Sequence, residues 1–347
     1  MPIWKGERLT VEIVGASHEK EIGVRISGLP CEEVRMESVL AFLSRRKPGL
    51  SGTTERIEED IPCVLGMEGD MLSKEVEAIF ANRNVNASDY KDLYGKPRPS
   101  HADYAAYLKD GRLDFSGGGE FSGRMTAPLC FAGGIAKDLL LTRGIKVYGY
   151  ISEIGGIVGK NYKNAVLTES DFPIVGFPSL SGREDMENVI LRAKSSGDSV
   201  GGRVDCVVFG MKGGFGGALF SGLEGKIAQL LFAIPGVKGV EFGEGFSFSS
   251  LTGSRANDAL TYENGEVLSV TNKSGGINGG ISNGMPITLS AVFRPTPSIG
   301  LPQKTVDLQR KENTEIRIRG RHDACIAVRA VPVVESAVAL ALLDGVL

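Results

Sequence analysis

Apolar and polar positions along the chain follow two rhythms. Residues 9–14 alternate, and so do 22–27, which predicts two strands joined by Gly15-Ala16-Ser17-His18-Glu19-Lys20. From 31 to 46 the apolar spacing lengthens to three and four. Val34, Val39, Leu40 and Leu43 then share one stripe, and the spacing predicts a helix stopped at Pro48-Gly49. The polar, acidic stretch 51–60 reads as a loop, 61–67 as a strand and 72–82 as a short helix. The longest helical patterns cover 125–142 and 328–343. Gly133-Gly134 inside the first predicts close packing against a neighbour. Shorter helices are predicted at 185–194 and 219–232, and strands at 147–151, 203–209, 237–242 and 287–293. Gln303-Lys304-Thr305-Val306-Asp307 reads as a polar turn.

The 347 residues contain no proline- or serine-rich divider, and the polar glycine loops are scattered throughout, so 1–347 reads as a single domain. A net charge of −3 argues against a general affinity for nucleic acid. The five cysteines are widely spaced, odd in number and without a C-x-x-C pair. Buried free thiols in a reducing compartment are expected, and no metal site. No run reaches the roughly 18 apolar residues of a membrane span, and the first residues lack a signal-peptide apolar core. A cytoplasmic protein is expected.

Three features carry candidate chemistry. Gly117-Gly118-Gly119 leads through Glu120-Phe121-Ser122-Gly123-Arg124 into the helix at 125, which offers backbone N–H groups to an anion. Neither the P-loop nor the dinucleotide glycine spacing is present there. Arg45-Arg46-Lys47 closes the first helix, either as cations suited to its dipole or as an anion-binding claw. The only three histidines, His18, His101 and His322, all sit in polar turns. A lone loop histidine is usually only solvated. Here His101 is two residues from Asp103 on a stiff Pro-Arg-Pro corner, and His322 lies between Arg321 and Asp323.

Taken together, eight stretches resemble the chorismate synthase family over almost the full chain. They are Gly15-Ala16-Ser17-His18, Ser44-Arg45-Arg46-Lys47-Pro48-Gly49, Arg98-Pro99-Ser100-His101-Ala102-Asp103-Tyr104, 117–126, 197–206, 272–284, Arg294-Pro295-Thr296 and 320–325. The resemblance implies an α+β fold, a β-α-β sandwich with antiparallel sheets in the middle and helices outside, assembled as a homotetramer. It implies conversion of 5-enolpyruvylshikimate 3-phosphate to chorismate with reduced FMN, and NADPH is a candidate flavin reductant. His18 and His101 become proton handlers, one toward the leaving phosphate and one toward the flavin. Asp323 becomes the carboxylate that helps deprotonate the flavin, with Ser17 and Ser122 as relay hydroxyls. Arg45, Arg46, Lys47 and Arg329 become the substrate's cations. Glu120, Phe121, Ser122, Arg124, Gly279, Arg294, Pro295, Thr296, Pro297, Ser298 and Arg321 take flavin-contacting positions. His322 holds the turn.

The chain departs from the family pattern at two motifs. The family's Gly-Glu-Ser-His-Gly carries Ala16 and Glu19 here, and Gly-Gly-Arg-Ser-Ser-Ala-Arg reads Gly118-Gly119-Glu120-Phe121-Ser122-Gly123-Arg124. Glu120 inverts the charge where the family's arginine meets the flavin, which implies a cost in flavin affinity. Retention of both histidines, Ser17, Ser122, Arg124 and Asp323 implies an active enzyme. The alternative is a catalytically silent flavin- or anion-binding homologue.

Overall fold

The alternating segments at the N-terminus pair with one another and with strands that follow them. In the structure, a computed structural model, residues 2–17, 19–49, 53, 59–83, 93–115, 118–318 and 323–347 are described. The first sheet holds β1 (Ile3–Lys5), β2 (Thr10–Gly15), β3 (Glu21–Ser27), β4 (Pro62–Glu68) and β5 (Met71–Ala81), in the order β1-β2-β3-β5-β4 and antiparallel throughout. Residues 72–82 were expected as a helix and form β5 instead. Leu72, Val76, Ala78 and Phe80 are buried at even spacing, and β3 and β4 pair on either side. Two flanking ladders outweigh local propensity.

The helix expected at 31–46 is shorter, α1 (Met36–Ser44). Next come α2 (Asp103–Asp110) and α3 (Thr126–Thr142). The second sheet begins with β6 (Lys146–Ile154) and β7 (Ile157–Val158). After α4 (Arg183–Ser195) it gains β8 (Gly202–Phe209), and after α5 (Leu223–Ala233) it gains β9 (Val237–Phe242). A short α6 (Gly253–Ala256) leads to two hairpins, β10 (Leu260–Glu263) with β11 (Glu266–Ser269), and β12 (Ile277–Asn278) with β13 (Ile281–Ser282). β14 (Ile287–Phe293) then completes the sheet in the antiparallel order β7-β6-β8-β14-β9. The stretch read as a polar turn at 303–307 is β15 (Gln303–Asp307), paired with β16 (Glu312–Ile316). The chain ends in α7 (Ala327–Val346).

The α+β class, the antiparallel sheets and the β-α-β sandwich are as expected, but it is the helices and not the sheets that lie in the middle. α3 packs on β2, β3 and β5 of the first sheet and on β6 of the second, while α7 packs on β6 and β8. The principal helices therefore fill the space between the sheets. Their sequences explain it: α3 is buried from Thr126 to Leu140 with few breaks, and α7 from Ala327 to Asp344 apart from Arg329. A helix that is apolar all round belongs inside. The two helices meet at Gly133, where a Cβ would lie 2.1 Å from the Ser336 Cβ, while Gly134 faces Val39 and Phe42 of α1. A smaller apolar cluster of Leu93, Phe115, Ile316 and Ile318 stands apart from the main core and ties the 93–115 segment to the β15–β16 hairpin.

All five cysteines are free; Cys130, Cys206 and Cys325 are buried, while Cys31 and Cys63 are exposed, contrary to the expectation of buried thiols. Among the described residues, no helix is long and apolar enough to cross a membrane.

Candidate active site

Seven separated segments converge on a cavity of about 670 Å³. They are the turn after α1 at Arg46 and Pro48, Asp60, the 98–103 corner, the turns before α3, the α5–β9 connection, the loop after β14 and the start of α7. Phe232, Ile234, Pro235 and Val333 supply apolar wall, and Arg46, Asp60, Arg98, Arg124, Asp323 and Arg329 supply charge. A mixed cavity of this size lies within the roughly 300–1,000 Å³ range of small-molecule sites.

The cations at the end of α1 divide. Arg45 caps the helix and Arg46 follows in the turn beyond it, and their side chains take different partners. Arg46 is buried in the cavity wall, donating to Thr126 Oγ1 at 3.0 Å, Asp60 Oδ2 at 3.1 Å and the Gly123 carbonyl at 3.2 Å. Burial, then repulsion from Arg329 and Arg124, lowers its pKa to about 10, which leaves it charged at neutral pH. Arg45 is a correction to the expected claw. It forms a two-pronged pair with Glu335 inside α7, at 2.7 and 3.0 Å, because that buried carboxylate needs cations. Lys137 contacts the same carboxylate. Lys47 is half-buried and not on the cavity wall.

Sequence reasoning assigned no role to Asp60. It lines the cavity at a φ of 51° and joins Arg46 to Arg124, one carboxylate oxygen to each. Arg124 also donates to Asn82 at 2.9 Å, while its Nη2 is buried without a hydrogen-bond partner. The only hint in the sequence was the acidic run closing at Asp60, which read as part of a loop.

Ser122 faces the cavity, and its hydroxyl caps the turn before α3 by accepting from Arg124 N at 3.2 Å. Ser17 is buried beside the same turn, with its amide donating to the Gly119 carbonyl and its Oγ without a partner. Glu120 and Phe121 form the half-open rim. Glu120 lies 3.6 Å from Arg112, rather than beside Arg124 or Lys137, whose cations are held by Asp60 and Glu335.

His101 lines the cavity with Nδ1 turned to Asp103 Oδ1 at 2.6 Å. Arg98, buried in the same corner, grips that carboxylate with two side-chain nitrogens at 2.7 and 2.8 Å. Burial disfavours charge on Asp103, but hydrogen bonds from Arg98 and His101 hold its pKa down to about 2. Opposite, Arg329 donates to Asp323 Oδ2 at 2.9 Å and to the Arg46 carbonyl at 3.1 Å, so Asp323 and both arginines share one wall. Arg294, Thr296, Pro297 and Ser298 complete the lining, with Arg294 donating to the Ser100 carbonyl at 2.5 Å and Thr296 Oγ1 buried without a partner. Pro295 is not on the wall, and Gly279 sits exposed at the β12–β13 turn, away from the cavity lining. His18, Arg321 and His322 lie outside the described residues.

A family model described as chorismate synthase matches residues 9–347. The chain belongs to the chorismate synthase family. Among similar proteins, the chorismate synthase of Thermococcus gammatolerans is 43% identical over 347 residues, covering 99% of this chain and 97% of its own. That of Pyrococcus abyssi is 42% identical over 349 residues, covering 99% and 97%. That of Dehalococcoides mccartyi is 40% identical over 348 residues, covering 98% and 95%. A solved structure entitled "Crystal Structure of Chorismate Synthase" superposes with a TM-score of 0.74 at 21% identity, covering 98% of this chain and 92% of that one, a likeness of fold. Chorismate synthase function, that of a lyase, follows from the full-length relatives, and the family uses reduced FMN.

Proposed function

We propose that this chain eliminates phosphate from 5-enolpyruvylshikimate 3-phosphate in the cavity around Arg46, His101, Asp323 and Arg329, giving chorismate. The observation that carries the reading is the charge arrangement of the wall. A substrate with two carboxylates and a phosphate needs fixed cations, and Arg46 presents one from a buried position and Arg329 one from a half-buried position, both hydrogen-bonded. Arg45 belongs to the scaffold, and the part of Lys47 rests on the resemblance alone.

The residues also fit a phosphorylated flavin. Arg124 Nη2 and Thr296 Oγ1 are buried cavity-lining atoms without partners, and such atoms are satisfied by an oxygen-rich ligand. Ser122, Arg124, Arg294, Thr296, Pro297 and Ser298 would hold it, with Glu120 and Phe121 at its edge. Parts for Pro295, Gly279 and Arg321 rest on the resemblance. When bound, reduced FMN supplies transient electron density to the ring that loses phosphate. The protein's own work is to bind, orient and move protons. The arginines hold the anionic groups, His101 presents an imidazole, a side chain suited to proton transfer, and Asp323 is held as an acceptor by Arg329. His18 takes the second proton-handling part, and Ser17 and Ser122 relay.

NADPH is the further candidate reductant of the flavin, tested by whether it replaces a chemical reductant. The free thiols support a reducing, cytoplasmic setting. One core running through both sheets supports a single domain over 1–347. Exposed Phe220, Phe246, Leu260 and Tyr262 support assembly as a homotetramer, which light scattering checks.

Binding of the substrate separates the two parts of the claw. Arg46→Ala should abolish the substrate-dependent shift of the FMN absorption spectrum, while Arg45→Ala should keep it. A shift that survives Arg46→Ala and is lost in a folded Arg45→Ala variant would return the claw to its expected form.

A further inference from the structure

The corner that carries His101 is built around a buried acid that Arg98 holds. Asp103 opens α2 and is buried, with its side chain 5% exposed. Its Oδ2 accepts the Arg98 backbone amide at 2.9 Å and Arg98 Nε at 2.7 Å. Its Oδ1 accepts Arg98 Nη2 at 2.8 Å and lies 2.6 Å from His101 Nδ1. Pro97, Pro99 and the left-handed Ser100, at a φ of 59°, fix the backbone between them.

An ionised carboxylate only accepts hydrogen bonds. A contact of 2.6 Å therefore requires the ring nitrogen to bring the hydrogen. The opposite tautomer would set the Nδ1 lone pair against a carboxylate oxygen, compensated only by Arg98 Nη2 at the longer distance of 3.2 Å. We infer that Asp103, clamped by Arg98, is a positioning residue that holds neutral His101 in the tautomer protonated at Nδ1 and so leaves Nε2 to exchange protons with cavity ligands. The ring lines the cavity, and Nε2 makes none of the contacts to Asp103 or Arg98. Arg98 fixes the carboxylate as firmly as Asp103 fixes the imidazole. The pair thus works as a two-stage support for one ring.

Asn at this position gives a sharp contrast. The Arg98 amide and Nε both donate toward the Oδ2 place, so they would claim the amide oxygen of Asp103→Asn. Its NH₂ then faces His101 and donates to Nδ1, which forces the hydrogen to Nε2. The inference deepens the reading of His101 as a proton handler and rests on it for the kinetic consequence, but not for the tautomer.

The test is nitrogen NMR of full-length protein labelled with [¹⁵N]histidine, recorded well above the ordinary histidine pKa of about 6.5. The His101 signals are those missing from His101→Gln. The expected wild-type spectrum has a protonated Nδ1 and an unprotonated Nε2 for that residue. Asp103→Asn should exchange the two patterns and lower turnover about 10²-fold or more with little change in KM. A wild-type His101 protonated at Nε2 overturns the inference without any variant having to fold. So does a folded Asp103→Asn that keeps both tautomer and rate. If the wild-type tautomer is as inferred but His101→Gln turns over normally, the proton-handling reading fails while the tautomer assignment stands.

Discussion

Glu335→Gln tests how the chain holds charge between its two sheets. Glu335 lies inside α7 with its side chain 1% exposed, paired with Arg45 at 2.7 and 3.0 Å and in contact with Lys137. The glutamine variant keeps the shape and removes the charge. Lys137, whose side chain is 20% exposed, is left with the Val147 carbonyl at 2.7 Å and no anion. Breaking a buried pair this way costs about 3–5 kcal/mol. Arg45, at 41% exposure, can turn its guanidinium to water and adds little. The lower end, about 3 kcal/mol, is expected, a large share of the 5–15 kcal/mol typical of a folded protein. The pH dependence has a definite sign. Burial opposes ionisation of Glu335, but Arg45 and Lys137 outweigh it, so its folded pKa lies below 4.5. The stabilisation is therefore complete above the unfolded value and is lost as pH falls through the folded one. Urea unfolding of both proteins should show the full difference at neutral pH and a shrinking one below about pH 4. A neutral-pH difference under about 0.5 kcal/mol, or one that grows in acid, refutes the reasoning.

Three further substitutions probe other parts of the account. Gly133→Ala should destabilise by about 1–3 kcal/mol in urea unfolding, because the new methyl meets Ser336 at 2.1 Å; an unchanged midpoint would mean the helices separate freely. Glu120→Arg should tighten FMN binding a few-fold at low salt, with the gain fading as salt rises, since the Glu120–Arg112 pair it breaks is exposed and worth at most about 1 kcal/mol; weaker binding by titration would show that this pair shapes the rim. Asp323→Asn should keep fold and substrate affinity and lower turnover roughly 10²-fold, and near-native turnover removes Asp323 from the chemistry.

Most of the strands and both long helices were legible because their burial is strong and local. The exceptions have physical causes. Leu72, Val76 and Phe80 are spaced by fours, a helical stripe as well as one face of a strand, and only the distant partners β3 and β4 decide between them. The hairpin at 303–316 buries too little to show an apolar rhythm. The central place of the helices was written in the all-round apolar character of α3 and α7, which agrees with the β-α-β sandwich and not with helices outside. At the site, the family motifs led to His101, Ser122, Arg124 and Asp323, all of which line the cavity. Arg45 misled because adjacent cations look alike in sequence, while its partner Glu335 lies 290 residues away. Asp60 escaped because its partners are two arginines it meets only in the fold.

The central claim is that the Arg46–His101–Asp323 cavity carries out phosphate elimination with reduced FMN. Anaerobic incubation of the purified protein with 5-enolpyruvylshikimate 3-phosphate and chemically reduced FMN tests it most directly. The account predicts chorismate and phosphate in equal amounts, and a strong loss of both in Arg46→Ala and His101→Ala. A folded wild-type protein that binds flavin and substrate yet forms no chorismate would contradict it.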